Sequence, residues 1–212
     1  MPDRSSLDVV TEALGKAGER KFTESVELSI NLKDLDLTVP KNRLEDEIPL
    51  PNGRGKTVKV AVFGSPELCL KIKGVADVVV PANQLDDIAK DKKAAKKMVS
   101  QVDFFLAEAP LMPTIGKRLG VVLGPRGKMP RPLPPGSDPT NLVNSLKRSI
   151  RIRSKGNRTF HAAVGTRAMK PEEIAQNVDA VLSRVMGKLE RGRTNIESVY
   201  VKTTMGPAVR LW

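Results

Sequence analysis

Residues 25–32 read SVELSINL and alternate without a break. Val26, Leu28, Ile30 and Leu32 are apolar; Ser25, Glu27, Ser29 and Asn31 are polar. Successive side chains of a strand point to opposite faces, so this strand has one face in a core and one in water. Further along, VKVAVFG, ADVVV and the start of VDFFLAEA are short, continuous apolar runs. Such runs suit strands buried on both faces, as in a parallel sheet between helices. A strand written for one setting fits the other badly, so the chain calls for two sheets of different kinds.

The order of the segments places the two kinds. Leu7, Val10, Leu14 and Ala17 recur at helical spacing, which predicts a helix over 5–17 ahead of the alternating strand. EDEIPL predicts a second strand, pushed to an edge by Pro49, and LPNGRGK then breaks the chain. The continuous runs follow, separated by predicted helices at 66–73, 84–100 and 111–119, with a capped helix in SDPTNLVNSLKRS. Alternating strands then return as IRIR and TFHAAV around the turn SKGN, and later as IESVYVKTT and AVRLW. Between them KPEEIAQNVDAVLSRVMGKLERG is a helix, with Pro171 and acids in its first turn and bases near its end. The expected fold is α/β in two domains. Residues 1–56 and 150–212 form a discontinuous α/β sandwich, and residues 57–149 an inserted Rossmann-like domain of βαβ units. Two chain crossings would make a hinge near Gly53 and Gly55 and near Lys155 and Gly156.

The chain has 36 Lys and Arg against 24 Asp and Glu, a net charge of +12. A surplus of that size points to a polyanionic partner, most simply a nucleic acid. No apolar run approaches the ~20 residues that span a bilayer, so no membrane role is expected. Cys69 and His161 are each the sole residue of their type. That excludes an intramolecular disulfide, points to a reducing cytosol, and leaves a metal site to be built almost wholly from carboxylates. Aromatic residues make up 3% of the chain, too few for a binder that works by stacking bases on ring platforms.

LGPRGKMPR, residues 123–131, looks like a phosphate loop. It fails as one, because Met129 stands where the P-loop needs Ser or Thr and Val122 where it needs the first glycine. VFGSPEL, with one glycine, fails the dinucleotide fingerprint as well. The loop reads as proline-stiffened and basic. Arg126, Lys128 and Arg131 are either solvated or in contact with RNA or the other domain. KDKKAAKKM reads as a solvated helix face of low specificity. In YVKTTMGPAV, the Thr203 and Thr204 hydroxyls suit phosphate and 2′-OH groups, Met205 a soft apolar contact, and Gly206 a close backbone approach. An ordinary strand–turn–strand is the plain alternative. In RKFTESVEL, Ser25 and Glu27 share the polar face and Phe22 caps a core or stacks on RNA. His161 has no nucleophile motif to serve.

Taken together, IGKRLGVVLGPRGKMPRP, SVYVKTTMGPAV, KFTESVEL, LPNGRGK and FHAAVG stand in an order that resembles the L-one family of large-subunit ribosomal proteins over nearly the whole chain. The length and the MGPAV ending resemble archaeal members. The resemblance implies a first domain of split β-α-β topology holding both termini, with a Rossmann-like insert. It implies a structural constituent of the large subunit, cytoplasmic and ribosome-bound, with no enzymatic activity, cofactor or metal, and monomeric when free. Its partners would be a stalk junction of large-subunit rRNA, exit-site tRNA, and its own mRNA, whose translation it would repress. Family RNA contacts carry over onto Phe22, Ser25, Glu27, His161, Ser198, Thr204, Met205 and Gly206. Arg167 and Lys170 receive no role.

Two other classes stay open on the residues alone. A nucleotide-dependent transferase would bind its nucleotide near Gly64 or Gly124 of the insert. A general DNA-binding protein is suggested by charge only.

Overall fold

The computed structural model describes residues 4–134 and 139–212. The first two residues of SDPTNLVNSLKRS, where a capped helix is expected, lie outside them. In chain order the elements are α1 (Ser6–Gly15), β1 (Ser25–Leu32), β2 (Glu45–Pro49), β3 (Val60–Gly64), α2 (Pro66–Ile72), β4 (Val78–Pro81), α3 (Leu85–Lys90), α4 (Lys92–Gln101), β5 (Phe104–Glu108), α5 (Met112–Leu123), β6 (Arg131–Leu133), α6 (Pro139–Lys147), β7 (Ser149–Arg153), β8 (Thr159–Thr166), α7 (Pro171–Lys188), β9 (Ile196–Thr203) and β10 (Val209–Arg210). The architecture is mixed α/β, with one antiparallel and one parallel four-stranded sheet. The chain forms two compact units, Met1–Lys56 with Arg148–Trp212, and Thr57–Lys147.

The first unit is built on the sheet β10-β9-β1-β8. β1 runs antiparallel to both β8 and β9, so β8, α7 and β9 form a βαβ crossover split by β1. The alternation of SVELSINL sets the orientation. Val26, Leu28, Ile30 and Leu32 are buried in a core shared with Val9, Val10 and Ala13 of α1 and Ile174, Val178, Val181 and Val185 of α7. Both helices therefore cover one face of the sheet, and the polar residues of β1 are left on the other. α7 begins at Pro171, where the Lys170 N–H donates to the Glu173 carboxylate at 3.2 Å. β2 pairs with β7 in a separate two-stranded sheet whose Ile48, Ile150 and Ile152 join the same core.

The strands flanking SKGN thus enter different sheets, β7 with β2 and β8 with β1. Lys155, at φ 50°, and Gly156 form the turn between them inside the first unit. The second chain crossing falls at Lys147 and Arg148, so Lys155 and Gly156 are not at it. Arg148 and Ser149 also belong to the first unit, Arg148 by accepting from Leu50 N and Ser149 by pairing with Pro49. Gly53 and Gly55 do lie beside the first crossing, and the Gly53 carbonyl is held at 2.7 Å by Asn177 Nδ2 of α7.

The second unit is a parallel sheet in the order β4-β3-β5-β6. Ala61, Phe63, Phe105 and Ala107 face a core with Leu85, Val99, Ile115 and Leu119 of α3, α4 and α5. Val60, Val62, Phe104 and Leu106 face Ile72 of α2 and Val143 and Leu146 of α6. The continuous apolar runs are explained by burial on both faces. The predicted helix over 84–100 is two helices, because Asp91 caps the second by accepting from the Lys93 and Ala94 N–H groups. β6, formed by Arg131, Pro132 and Leu133, was not expected within a proline-rich loop; it lies at the sheet edge, where Pro is tolerated.

Candidate nucleic-acid interface

The open face of the first unit's sheet is laid out by its register. At one end Asn31 stands between Thr159 and Ser198; it donates to Ser198 Oγ at 2.7 Å and accepts from Thr159 Oγ1 at 2.8 Å. The next row crosses four strands as His161, Ser29, Tyr200 and Arg210. Then comes Ala163, Glu27 and Lys202. Ser25 closes the face, its hydroxyl accepting from Lys56 Nζ at 2.6 Å.

At the Ser25 end the turn after β9 is tied to the start of β1. Thr204 N donates to Ser25 O at 3.0 Å, and Thr204 Oγ1 lies 3.2 Å from the same oxygen and 3.4 Å from Glu27 Oε1. Met205 N donates to Glu24 Oε1 at 3.0 Å. These bonds bring Ser25, Glu27, Thr204, Met205 and Gly206 into one patch. Met205 stands 61% exposed on it, and Phe22, on the segment leading into β1, is 56% exposed. Beside Phe22 is a cleft of about 420 Å³ lined by Arg20, Lys21, Thr23 and Arg167. His161 is exposed on the edge strand β8, two residues along the register from the row of Glu27 and away from the turn. Ser198 is buried at the far end, opposite Asn31, about 20 Å from Ser25 at the usual rise of ~3.3 Å per residue.

Two residues of the turn act differently from the sequence expectation. Thr203 is 0% exposed, because it belongs to the inward set of β9, so its hydroxyl is packed beneath the turn and does not face a ligand. A Cβ at Gly206 would point inward, 2.3 Å from Thr203 Oγ1 and 3.6 Å from Ala17 Cβ. The glycine is therefore required by close packing within the chain and not by an approaching nucleic-acid backbone.

LGPRGKMPR is the end of α5. Gly127, at φ 64°, donates to Gly124 O at 2.9 Å, and Lys128 N to Leu123 O at 3.0 Å. This paired closure is the Schellman ending, with glycine in the left-handed position. The cations of this stretch are engaged on α4 and the residue just after it: Lys128 Nζ donates to Val99 O and Val102 O at 2.9 and 2.5 Å, and Arg126 Nη1 to Lys96 O at 2.9 Å. Arg131 is exposed on β6.

The sequence reading missed Lys56, Lys202, Tyr200 and Arg210. The period-two spacing of Ser198, Tyr200 and Lys202 carried the signal for two of them. Arg210 needed the β9–β10 register, and Lys56 the path of the loop across Ser25. In the second unit, the crevice beyond β3 and β5 is where a doubly wound fold would take a ligand. Here Glu108 sits in it, accepting from Ser65 N at 3.1 Å and Ser65 Oγ at 2.8 Å. The Cys69 thiol nearby has its pKa pushed up, first by burial and then by the Glu108 charge. Among the described residues no cluster of His, Cys, Asp and Glu is arranged to hold a metal ion, and no helix is long and apolar enough to cross a membrane.

Residues 14–207 match the model of the Ribosomal protein L1p/L10e family. The chain belongs to that family. It is similar to the large ribosomal subunit protein uL1 of Thermoplasma acidophilum, 57% identical over 202 residues, with 95% of this chain and 93% of the relative covered. The uL1 protein of Methanocella arvoryzae is 53% identical over 212 residues with both chains fully covered, and that of Haloferax volcanii 47% identical over 205 residues, with 97% of each covered. The L1p/L10e match takes in both units and includes β1, β8, β9 and the turn at 203–206. The relatives named are all archaeal.

Proposed function

We propose that this chain is a structural constituent of the large ribosomal subunit that grips a stalk junction of large-subunit rRNA through its first unit. The observation that carries the reading is the tie between the start of β1 and the turn after β9. It puts a carboxylate, two hydroxyls and an exposed Met on one surface flanked by Lys56 and Lys202, with an exposed Phe on the segment that leads into β1. The mixture suits folded RNA. Glu27 accepts from a 2′-OH or a base amino group, the hydroxyls of Ser25 and Thr204 exchange hydrogen bonds with sugar and phosphate oxygens, and the lysines neutralise phosphates. The net charge of +12 adds salt-dependent affinity over the whole surface.

The second unit moves with the stalk and meets exit-site tRNA, and the same patch on the first unit takes a similar structure in the chain's own mRNA and represses its translation. The protein works bound to the ribosome in the cytoplasm, as a monomer when free, without a cofactor. A nucleotide-using enzyme is the weaker reading, since Glu108 already supplies an anion where that fold would place a phosphate. The test is competition between a stalk rRNA fragment and duplex DNA as salt is raised. The proposal predicts that rRNA binding outlasts DNA binding by a wide margin; parallel loss of the two would contradict it.

A further inference from the structure

Glu24 is 1% exposed, directly beneath the patch just described. A carboxylate buried under a surface that attracts phosphates is costly twice over, by desolvation and by repulsion of the ligand. Its two oxygens have different duties. Oε1 accepts from Met205 N at 3.0 Å, and Oε2 faces Arg167 Nη1 at 3.6 Å with no hydrogen bond of its own. Arg167 in turn reaches the segment after α1, donating from Nη1 to Gly18 O at 2.6 Å and from Nη2 to Ala17 O at 3.3 Å. Its backbone N–H donates to Glu24 O at 2.9 Å.

One guanidinium therefore joins the end of the α1 segment to the residue before β1, and one carboxylate passes that restraint to the turn. The segment between Gly18 and Glu24 carries Phe22; the turn carries Thr204 and Met205. We propose that Glu24 and Arg167 are positioning residues that fix these two RNA-facing segments relative to each other, Glu24 from beneath and Arg167 with its guanidinium committed to the protein. The assignment rests on the rRNA reading of the patch. It requires the planar fork of arginine, because a lysine ammonium cannot span two carbonyls and a carboxylate in this geometry.

The experiment compares the full chain with Arg167→Met, Arg167→Lys and Glu24→Gln by two readouts. The first is amide exchange of Met205 in the free protein, with Val199 and Val201 as internal references. Arg167→Met and Arg167→Lys are expected to speed Met205 exchange about tenfold while the references stay unchanged. The second is affinity for a stalk rRNA fragment at several salt concentrations. Arg167→Met is expected to lose about tenfold at every salt with the slope of log K against log salt unchanged, and Glu24→Gln to weaken binding although it removes a negative charge. A slope reduced by about one would make Arg167 a phosphate contact and overturn the proposal. So would tighter binding by Glu24→Gln, or unchanged Met205 exchange in the Arg167 variants. If the unaltered protein failed to prefer the stalk fragment, the RNA reading would fall, while Met205 exchange would still decide whether the restraint exists.

Discussion

Gly206 and Thr203 are packed so closely that a Cβ on the glycine would fall 2.3 Å from the threonine hydroxyl. Thr203 is fully buried, its hydroxyl has no hydrogen-bond partner, and Gly206 N donates to Thr203 O at 3.2 Å. Gly206→Ala is expected to destabilise the chain by about 1–3 kcal/mol through overpacking. Adding Thr203→Ala, which removes the obstructing oxygen, should recover part of that loss. Urea unfolding of the two single variants and the double variant measures the coupling, and strict additivity would show that the two residues do not meet.

Lys128 closes the carboxyl end of α4, with Val99 O and Val102 O as its acceptors. Lys128→Met should cost about 1.5–3 kcal/mol of stability, as hydrogen bonds from a charged donor do, and leave rRNA affinity within about twofold. A large loss of affinity in a variant of normal melting temperature would instead make Lys128 an RNA contact.

Asp46 of β2 is held by two cations of α7, Arg184 Nε at 2.7 Å and Lys188 Nζ at 3.2 Å. Burial pushes its carboxyl pKa up, but the hydrogen bonds from Arg184 and Lys188, the Lys188 charge and a hydrogen bond from the Glu47 backbone N–H together outweigh it and leave the pKa lowered. With a folded pKa below the unfolded one, the stabilisation is complete above the unfolded pKa and disappears as pH falls through the folded pKa. Asp46→Asn is expected to cost up to about 1 kcal/mol at neutral pH, with the gap to the unaltered protein closing below the ordinary carboxylate range. Urea midpoints over a pH series test this, and a gap independent of pH would contradict it.

The patch lies wholly on the unit made of Met1–Lys56 and Arg148–Trp212, which has its own core. Joining residue 56 to residue 148 through a short linker should therefore leave most of the rRNA affinity. Loss of binding by a folded shortened chain would move the main contact to the other unit.

Period and burial carried most of the fold. SVELSINL announced a half-buried strand because its two sets of side chains face different surroundings, and α7 announced itself through Ile174, Val178, Val181 and Val185 on one face. What stayed hidden depended on partners distant in sequence. PRPL gave no strand signal, because its pairing with β5 comes from the edge of the sheet and not from its own residues. Gly127 and Lys128 looked like a phosphate loop because helix endings and phosphate loops both use glycine in the left-handed region beside a cation. Thr203 and Thr204 are adjacent and chemically alike, yet one points into the core and the other into solvent. The patch needed the register of β1 with β9, which placed Lys202 beside Glu27, and the carboxylate of Glu24, whose burial no local pattern reveals.

The most direct measurement is the affinity of a stalk rRNA fragment for the chain carrying Ser25→Ala with Thr204→Val, set against its affinity for an unrelated structured RNA. Both hydroxyls are lost while the backbone bond from Thr204 N to Ser25 O is kept. The predicted result is a loss of about tenfold or more on the stalk fragment, as two hydrogen bonds of ~1 kcal/mol each would give, with the unrelated RNA unchanged. Stalk affinity within twofold of the unaltered protein, in a variant with the same melting temperature, would place the grip on rRNA elsewhere.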